Sequence, residues 1–463
     1  MPMRSGGLGV VFSLAVAGMT PACAQDTVSN EPLGAQADSV ARAAEAAGFS
    51  GVVRIARGGV TKLYKGYGLA NREKKIHFSP ETVVQIGSNT KDFTAVAILQ
   101  LQERGLLDIR DSIGKFFPDA PADKRGITLR QVMNHVGGLP DIVGGSDFEP
   151  VGREQFLARL WKAPLVSVPG TAEHYSNSGY SLLAAIIEKL SGTSYDKYVQ
   201  DHILTPLGMH HTGFALPHFD ENLLAHGYRK DVDIGTILSH EHPADGPYWN
   251  LRGNGGMSST LEDMQTFYTA LFTSSRLLKP ETRALQFDSD AQIGSAGSDH
   301  VSWFIYERYP RLQVDLFIAS NNAVYPAPRL RRAIVSAVGL PGGDNGPGAP
   351  VASAGQTAVV APAVATLIRN FITVLNAGNA DDLRKYVTDH FAVSPNGPPL
   401  EQRVKTLLMV AQNQGAITIV SMSQAELGLV DVAVRAAAKG PLVIRVGIEP
   451  GDDPRIRTLA LTN

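Results

Sequence analysis

The chain has 463 residues, 44% of them apolar and 19% charged, enough to bury a large core in two or three domains. Its formal net charge of −2 comes without runs of like charge, which excludes a charge-driven nucleic-acid surface and a polybasic or acidic tail. The one cysteine, Cys23, falls within the first 24 residues, so a chain cleaved after Ala24 has no disulfide, no thiol chemistry and no cysteine-ligated metal.

Residues 1–24 read as a secretory signal. Arg4 precedes an apolar stretch from Leu8 to Met19 that is too short to span a bilayer, and Ala22, Cys23 and Ala24 supply small residues for cleavage. The expectation is an exported, periplasmic protein with no stable membrane span after cleavage. Lipidation at Cys23 is the alternative, and Thr20 and Pro21 before it are poor company for that.

Gln36 to Gly48 carries Ala and Val at helical spacing. Gly51 to Arg57 and Val60 to Leu69 read as strands joined by Gly58 and Gly59, hence a hairpin. Next comes the stretch that organises the chain: Val83 to Ile86 is extended and apolar, Gly87 turns it, and Ser88 is followed three residues later by Lys91. Phe93, Ala95, Val96, Ala97, Ile98, Leu99 and Leu101 then describe a helix apolar almost all round, with Gly105 placed for a left-handed cap. Residues three apart share a helix face, so Lys91 stands over Ser88.

That pairing suits nucleophilic catalysis, because a serine hydroxyl is a weak nucleophile until a neighbouring base takes its proton. A lysine in an apolar pocket is such a base, since desolvation lowers its pKa. The start of the helix also turns backbone N–H groups toward a developing oxyanion. Ser112 with Lys115, and Ser194 with Lys197, repeat the spacing, but neither pair opens a long apolar helix after an extended segment.

Ile127 to His135 is a short amphipathic helix with Thr128 as its N-cap, ended by Gly137, Gly138 and Pro140. Tyr175, Ser176 and Asn177 lead into a second apolar helix, Leu182 to Leu190, capped by Gly192. A tyrosine near a lysine ammonium can be held partly as phenolate and act as base, and an asparagine amide can hold a substrate carbonyl or the lysine itself. Tyr248 and Asn250 repeat this pattern without the following helix. Gly253 to Thr260 precedes a helix from Leu261 to Phe272, His300 to Ala319 reads as a second hairpin around Pro310, and Arg329 to Val338 is a closing helix. Residues 341–360 are a Pro-, Gly- and Ala-rich linker. Residues 361–463 pass from two helical patterns, separated by Asn376 to Asn379, to a β-rich stretch after Ile417, a small α+β domain. His210, His211, His240 and His242 lack a third ligand at metal spacing, so no metal and no cofactor are expected.

Taken together, Ser88 with Lys91, Tyr175 with Asn177, and the strings Asn134 to Asp141, Pro206 to Met209 and Gly255 to Thr260 resemble the β-lactamase-related serine hydrolases, which include class C β-lactamases, D-Ala-D-Ala carboxypeptidases and esterases. The resemblance runs from about Val40 to Leu340 and assigns residues 36–340 to one domain. It implies an α/β fold of the α+β sandwich kind, an antiparallel sheet built from both hairpins and flanked by helices, with the site between sheet and helices. By resemblance, Ser88 is the acylated nucleophile, Lys91 and Tyr175 share general-base work, and Asn177 helps position substrate. The family's third element is a Lys- or His-bearing triplet ending in Gly on a strand lining the site. His211, Thr212 and Gly213 spell it but come too early in the chain; counting back from Ser320 and Asn321 leads to Gly294, Ser295, Ala296 and Gly297, with Ser295 where the cation should stand. The backbone N–H of Ser298 is then the second oxyanion donor. Residues 280–294 are short for the family and lack a strand, which opens that wall. Residues 361–463 loosely resemble the cone-shaped NTF2-like domains and are read as an accessory module.

These implications point to a serine hydrolase forming an acyl-enzyme at Ser88 on a small-molecule ester, amide or peptide, an ester or small amide first. The alternatives are a D-Ala-D-Ala-type peptidase or β-lactamase, and a non-catalytic ligand-binding protein of the same fold.

Overall fold

The computed structural model describes residues 26–214, 219–229, 232–287, 292–298, 301–322, 324–341, 362–391, 399–426, 429–438, 440–449 and 455–462. The expected signal over 1–24, with Cys23, and the linker beyond Pro341 lie outside these residues.

Both expected hairpins form and join in one antiparallel sheet. Its strands are β1 (Thr27–Val28), β2 (Gly51–Arg57), β3 (Val60–Tyr67), β4 (Ile293–Ser298), β5 (Trp303–Tyr309) and β6 (Val314–Ser320), in the spatial order β1-β3-β2-β6-β5-β4. The hairpins meet at β2 and β6, where Gly51 pairs with Ser320 and Arg57 with Val314. Alternation along the strands feeds two cores. Val53, Ile55, Ile305, Leu316 and Ile318 pack toward α1 (Pro32–Ala46) and α6 (Ala327–Ala337), whereas Val52, Phe304, Tyr306, Phe317 and Ala319 share a core with the long helices of the opposite layer. The helix α1 begins four residues before the sequence pattern suggests, because Pro32 at its first turn needs no N–H partner.

In the opposite layer, α2 (Thr90–Glu103) is buried on almost every face, as its composition requires. Phe93 stacks on Phe267 of α5 (Leu261–Thr273) with ring centroids 4.1 Å apart. Each such buried apolar side chain contributes roughly 1.5–3 kcal/mol, which fixes the helix that carries Lys91. Thr128 caps α3 (Leu129–Met133) with a reciprocal box: its hydroxyl accepts from Gln131 N and the Gln131 side chain accepts from Thr128 N. The helix α4 (Asn177–Ser191) ends at Gly192 with φ 72° but starts earlier than expected. Ser176 is its N-cap, accepting from Gly179 N at 2.9 Å, so Asn177 belongs to the first turn and not to a loop.

The C-terminal segment forms α7 (Pro362–Ala377), α8 (Ala380–His390) and α9 (Leu400–Gln414) and an antiparallel meander of β7 (Ile417–Glu426), β8 (Leu429–Ala436), β9 (Gly440–Glu449) and β10 (Arg455–Thr462). It has a core of its own around Ile368, Phe371, Leu383, Val432 and Val446. Asn379 caps α8 by accepting from Asp381 N and Asp382 N. The sequence reading overlooked α9. Among the described residues no helix is long and apolar enough to cross a membrane.

Candidate active site

Val84 pairs with Ser259 and Gln85 with Ser258, and Ile86 N donates to Met257 O at 2.9 Å, so the chain enters the site as a short strand. Gly87 then takes φ +51°, and a Cβ there would lie 2.5 Å from Ser298 N. Glycine is required on both counts. Gly87–Asn89 is one 3-10 turn that runs into α2, placing Ser88 just before the helix and Lys91 one turn above it.

Ser88 Oγ accepts from Lys91 Nζ at 3.1 Å and from Tyr175 Oη at 2.7 Å. The other Lys91 protons go to Asn177 Oδ1 at 2.7 Å and to the carbonyl of Asn254 at 2.7 Å. Only 6% of Lys91 is exposed. Burial pulls its ammonium down to about 7, against the opposing pull of Asp141, Asp92 and Asp147. Burial acts the other way on Tyr175, pushing its phenol well above the ordinary range. The expectation of a partial phenolate is therefore corrected: Tyr175 is a phenol that donates to Ser88, and of the two groups Lys91 is the one that titrates near neutrality.

Asn177 is aimed by Asp141, whose Oδ1 accepts from Asn177 Nδ2 at 2.9 Å and from its backbone N at 3.0 Å. With its amide nitrogen held there, its oxygen faces Lys91. Asn177 thus holds the lysine in this geometry, the second of the two tasks its side chain could serve.

The strand β4 forms the third wall. An added Cβ at Gly297 would lie 2.0 Å from Ile86 O and 2.6 Å from Ser88 N, so β4 runs directly over the nucleophile turn, and the Ser88 and Ser298 nitrogens sit around the contact of Gly87 with Gly297. Asn89, fully buried, ties the layers together by donating to Ile86 O and Phe304 O and accepting from Ser295 Oγ at 2.6 Å.

The decoys separate cleanly. Lys115 and Lys197 pair with Asp111 and Asp201 on the surface, and Ser194 caps a short helix. Asn250 bonds to Ser146 O and Glu149, and Thr212 bonds to Asp263.

Sequence reasoning missed Asn89, Asn254, Asp141 and His135 as parts of the site. Asn254 acts through a backbone carbonyl, which no residue type advertises. His135 lies within the quoted Asn134-to-Asp141 string. It adopts φ 57°, its Nδ1 accepts from Ser176 N at 3.0 Å, and its ring lies 4.5 Å from that of Tyr175. That hydrogen bond assigns the proton to Nε2, and burial pulls the imidazole down to about 3, so it is neutral. His135→Ala is expected to lower the rate constant on a p-nitrophenyl ester about tenfold or more, because a partly buried N–H loses its acceptor beside the tyrosine. His135→Asn, which tolerates the left-handed backbone and offers an acceptor oxygen, is expected to recover most of it. Equal rates for the two variants would show that the acceptor is immaterial.

An antiparallel sheet flanked by helices, with a Ser-Lys-Tyr cluster between them whose lysine is buried, defines the class of β-lactamase-related serine hydrolases. The chain belongs to the β-lactamase family, whose model matches residues 37–306. It is 34% identical over 184 residues to PbpX of Bacillus subtilis (strain 168), named as a penicillin-binding protein, covering 40% of this chain and 46% of that one. The chain thus spans about half the length of the curated relatives it matches. Among solved structures, FmtA from Staphylococcus aureus superposes with a TM-score of 0.57 at 23% identity, covering 68% of this chain and 92% of that one. EstCE1, described as a hydrolase with promiscuous acyltransferase activity, superposes with a TM-score of 0.55 at 20% identity, covering 66% and 98%.

Proposed function

We propose that the protein is an exported serine hydrolase that forms an acyl-enzyme at Ser88 on an ester or small amide. The observation that carries this reading is the double hydrogen bond onto Ser88 Oγ, from a lysine whose pKa is lowered to about 7 and from a neutral tyrosine. Neutral Lys91, directly or through Tyr175, takes the Ser88 proton as Oγ bonds to the substrate carbonyl carbon. The N–H groups of Ser88 and Ser298 hold the oxyanion. The carbon–oxygen or carbon–nitrogen bond then breaks and the alcohol or amine leaves with the proton. Water, deprotonated by the same groups, attacks the acyl carbon, releasing the acid and restoring Ser88.

Ester or small-amide chemistry is favoured over β-lactams because Ser295 replaces the cation that would meet a substrate carboxylate. The name of PbpX and the description of EstCE1 fit the same acyl-transfer chemistry. In this reading residues 1–24 direct export, 36–340 are the hydrolase domain, 341–360 a linker, and 361–463 an accessory domain.

Intact mass spectrometry after incubation with a small fluorophosphonate tests it. A single adduct on the wild type, absent from Ser88→Ala, is expected, followed by turnover of p-nitrophenyl esters ahead of D-peptides and β-lactams. The absence of an adduct, where a known serine hydrolase reacts, would leave a non-catalytic binding protein as the better description.

A further inference from the structure

On the β4 wall a hydroxyl stands where the family places a cation, and a carboxylate stands behind it. Ser295 donates to Asn89 Oδ1 at 2.6 Å and lies beside both the Asp92 carboxylate and the Tyr268 hydroxyl. Asp92 follows Lys91 in α2 and accepts from Tyr268 Oη at 2.7 Å. Tyr268 stacks on Tyr306 with centroids 3.7 Å apart, and Tyr306 is the cross-strand partner of Ser295. An aromatic layer thus holds Asp92 against the back of Ser295. Although densely surrounded, Asp92 and Ser295 both keep part of their surface accessible. Burial raises the Asp92 pKa, opposed by Tyr268, Ser295 and Lys91, the cation that acts on it. The charged groups that act on Lys91 are likewise acidic, Asp141, Asp92 and Asp147.

We propose that Asp92, with Ser295 in front of it, makes this wall a specificity determinant that excludes a substrate carboxylate and accepts a neutral or cationic group in its place. The proposal rests on the serine-hydrolase reading of Ser88. A carboxylate placed there meets like charge and, among the described residues of β4, no cationic side chain, whereas a quaternary ammonium meets the Asp92 carboxylate.

The test uses phenylacetyl esters of glycolate, glycolamide and choline, with each kcat/KM divided by the ester's hydroxide-catalysed rate constant. The choline ester is expected to lead, the glycolamide ester to follow, and the glycolate ester to trail choline by tenfold or more. A lag of more than threefold supports the proposal; one of threefold or less overturns it. Ser295→Lys places an ammonium over Asp92 and is expected to raise glycolate relative to choline about tenfold. Asp92→Asn, similar in shape and still able to accept from Tyr268, is expected to raise it several-fold. If the ratio stays fixed in whichever of these variants fold and form the fluorophosphonate adduct, the assignment to this wall falls. If the wild type forms no adduct and turns over none of the three esters, the serine-hydrolase reading falls and takes the subsite with it, an outcome distinct from turnover without selection.

Discussion

Lys91→Met is expected to lower kcat/KM on an activated ester by three or more orders of magnitude while leaving the protein at least as stable at pH 7 as the wild type. The loss follows from removing the proposed base that faces Ser88 Oγ. The stability follows from linkage. Lys91 titrates at about 7 when folded, against its ordinary 10.5, so between these values the unfolded chain binds more protons than the folded one. Wild-type stability therefore rises with pH across that window, by at most about 1.4 kcal/mol per pH unit, and the penalty for burying Lys91 is fully present below pH 7. Methionine carries no such penalty. Its gain is offset because Ser88 Oγ, Asn177 Oδ1 and the Asn254 carbonyl each lose a donor. Urea midpoints at pH 7 and pH 10 check this: the variant's advantage should shrink or reverse at the higher pH. The wild-type ester rate should rise with pH through about 7, and a flat profile from pH 5.5 to 8.5 would remove Lys91 from the base role.

Gly297→Ala is expected to reduce kcat by roughly two to three orders of magnitude, the usual effect of losing one oxyanion donor. The added Cβ meets Ile86 O at 2.0 Å and Ser88 N at 2.6 Å, and both are backbone atoms that cannot rotate away. Either β4 or the nucleophile turn must move, and the Ser298 nitrogen moves with β4. Gly87→Ala attacks the same contact from the other side, with the further cost of its left-handed backbone. Both variants should label slowly with fluorophosphonate, in proportion to their loss of turnover. Normal labelling by Gly297→Ala would place the oxyanion elsewhere.

Much of this site can be read from the chain because its side-chain members sit at fixed offsets on predictable elements. Ser88 lies in the turn that opens an apolar helix whose first turn carries Lys91, and Tyr175 and Asn177 flank the N-cap of another. The hairpins and their shared sheet follow from alternation and turn residues. Three kinds of feature escaped. The Asn254 carbonyl belongs to the backbone, so the sequence says nothing of it. Asn89 and Asp92 occupy positions around the serine and lysine whose meaning depends on β4 and β5, two hundred residues downstream. The protonation of Tyr175 depends on burial, which outweighs its hydrogen bond to Ser88. In α9 the apolar residues Leu400, Val404, Leu407, Leu408 and Ala411 do recur at helical spacing.

The central pairing of β2 with β6 also sets when the site can exist. Gly51 waits for Ser320, and the Ser88 turn waits for Gly297, so the sheet closes only after nearly the whole domain has been synthesised. Pairing so distant in sequence delays assembly, because loop entropy must be overcome before the contacts that reward it. A growing chain that has passed Lys91 but not β4 already contains the serine and the lysine, yet neither oxyanion wall nor sheet centre. In the proposed reading, hydrolase activity stays silent until the fold is nearly complete, and a chain exported in extended form would carry a serine that had not yet been switched on.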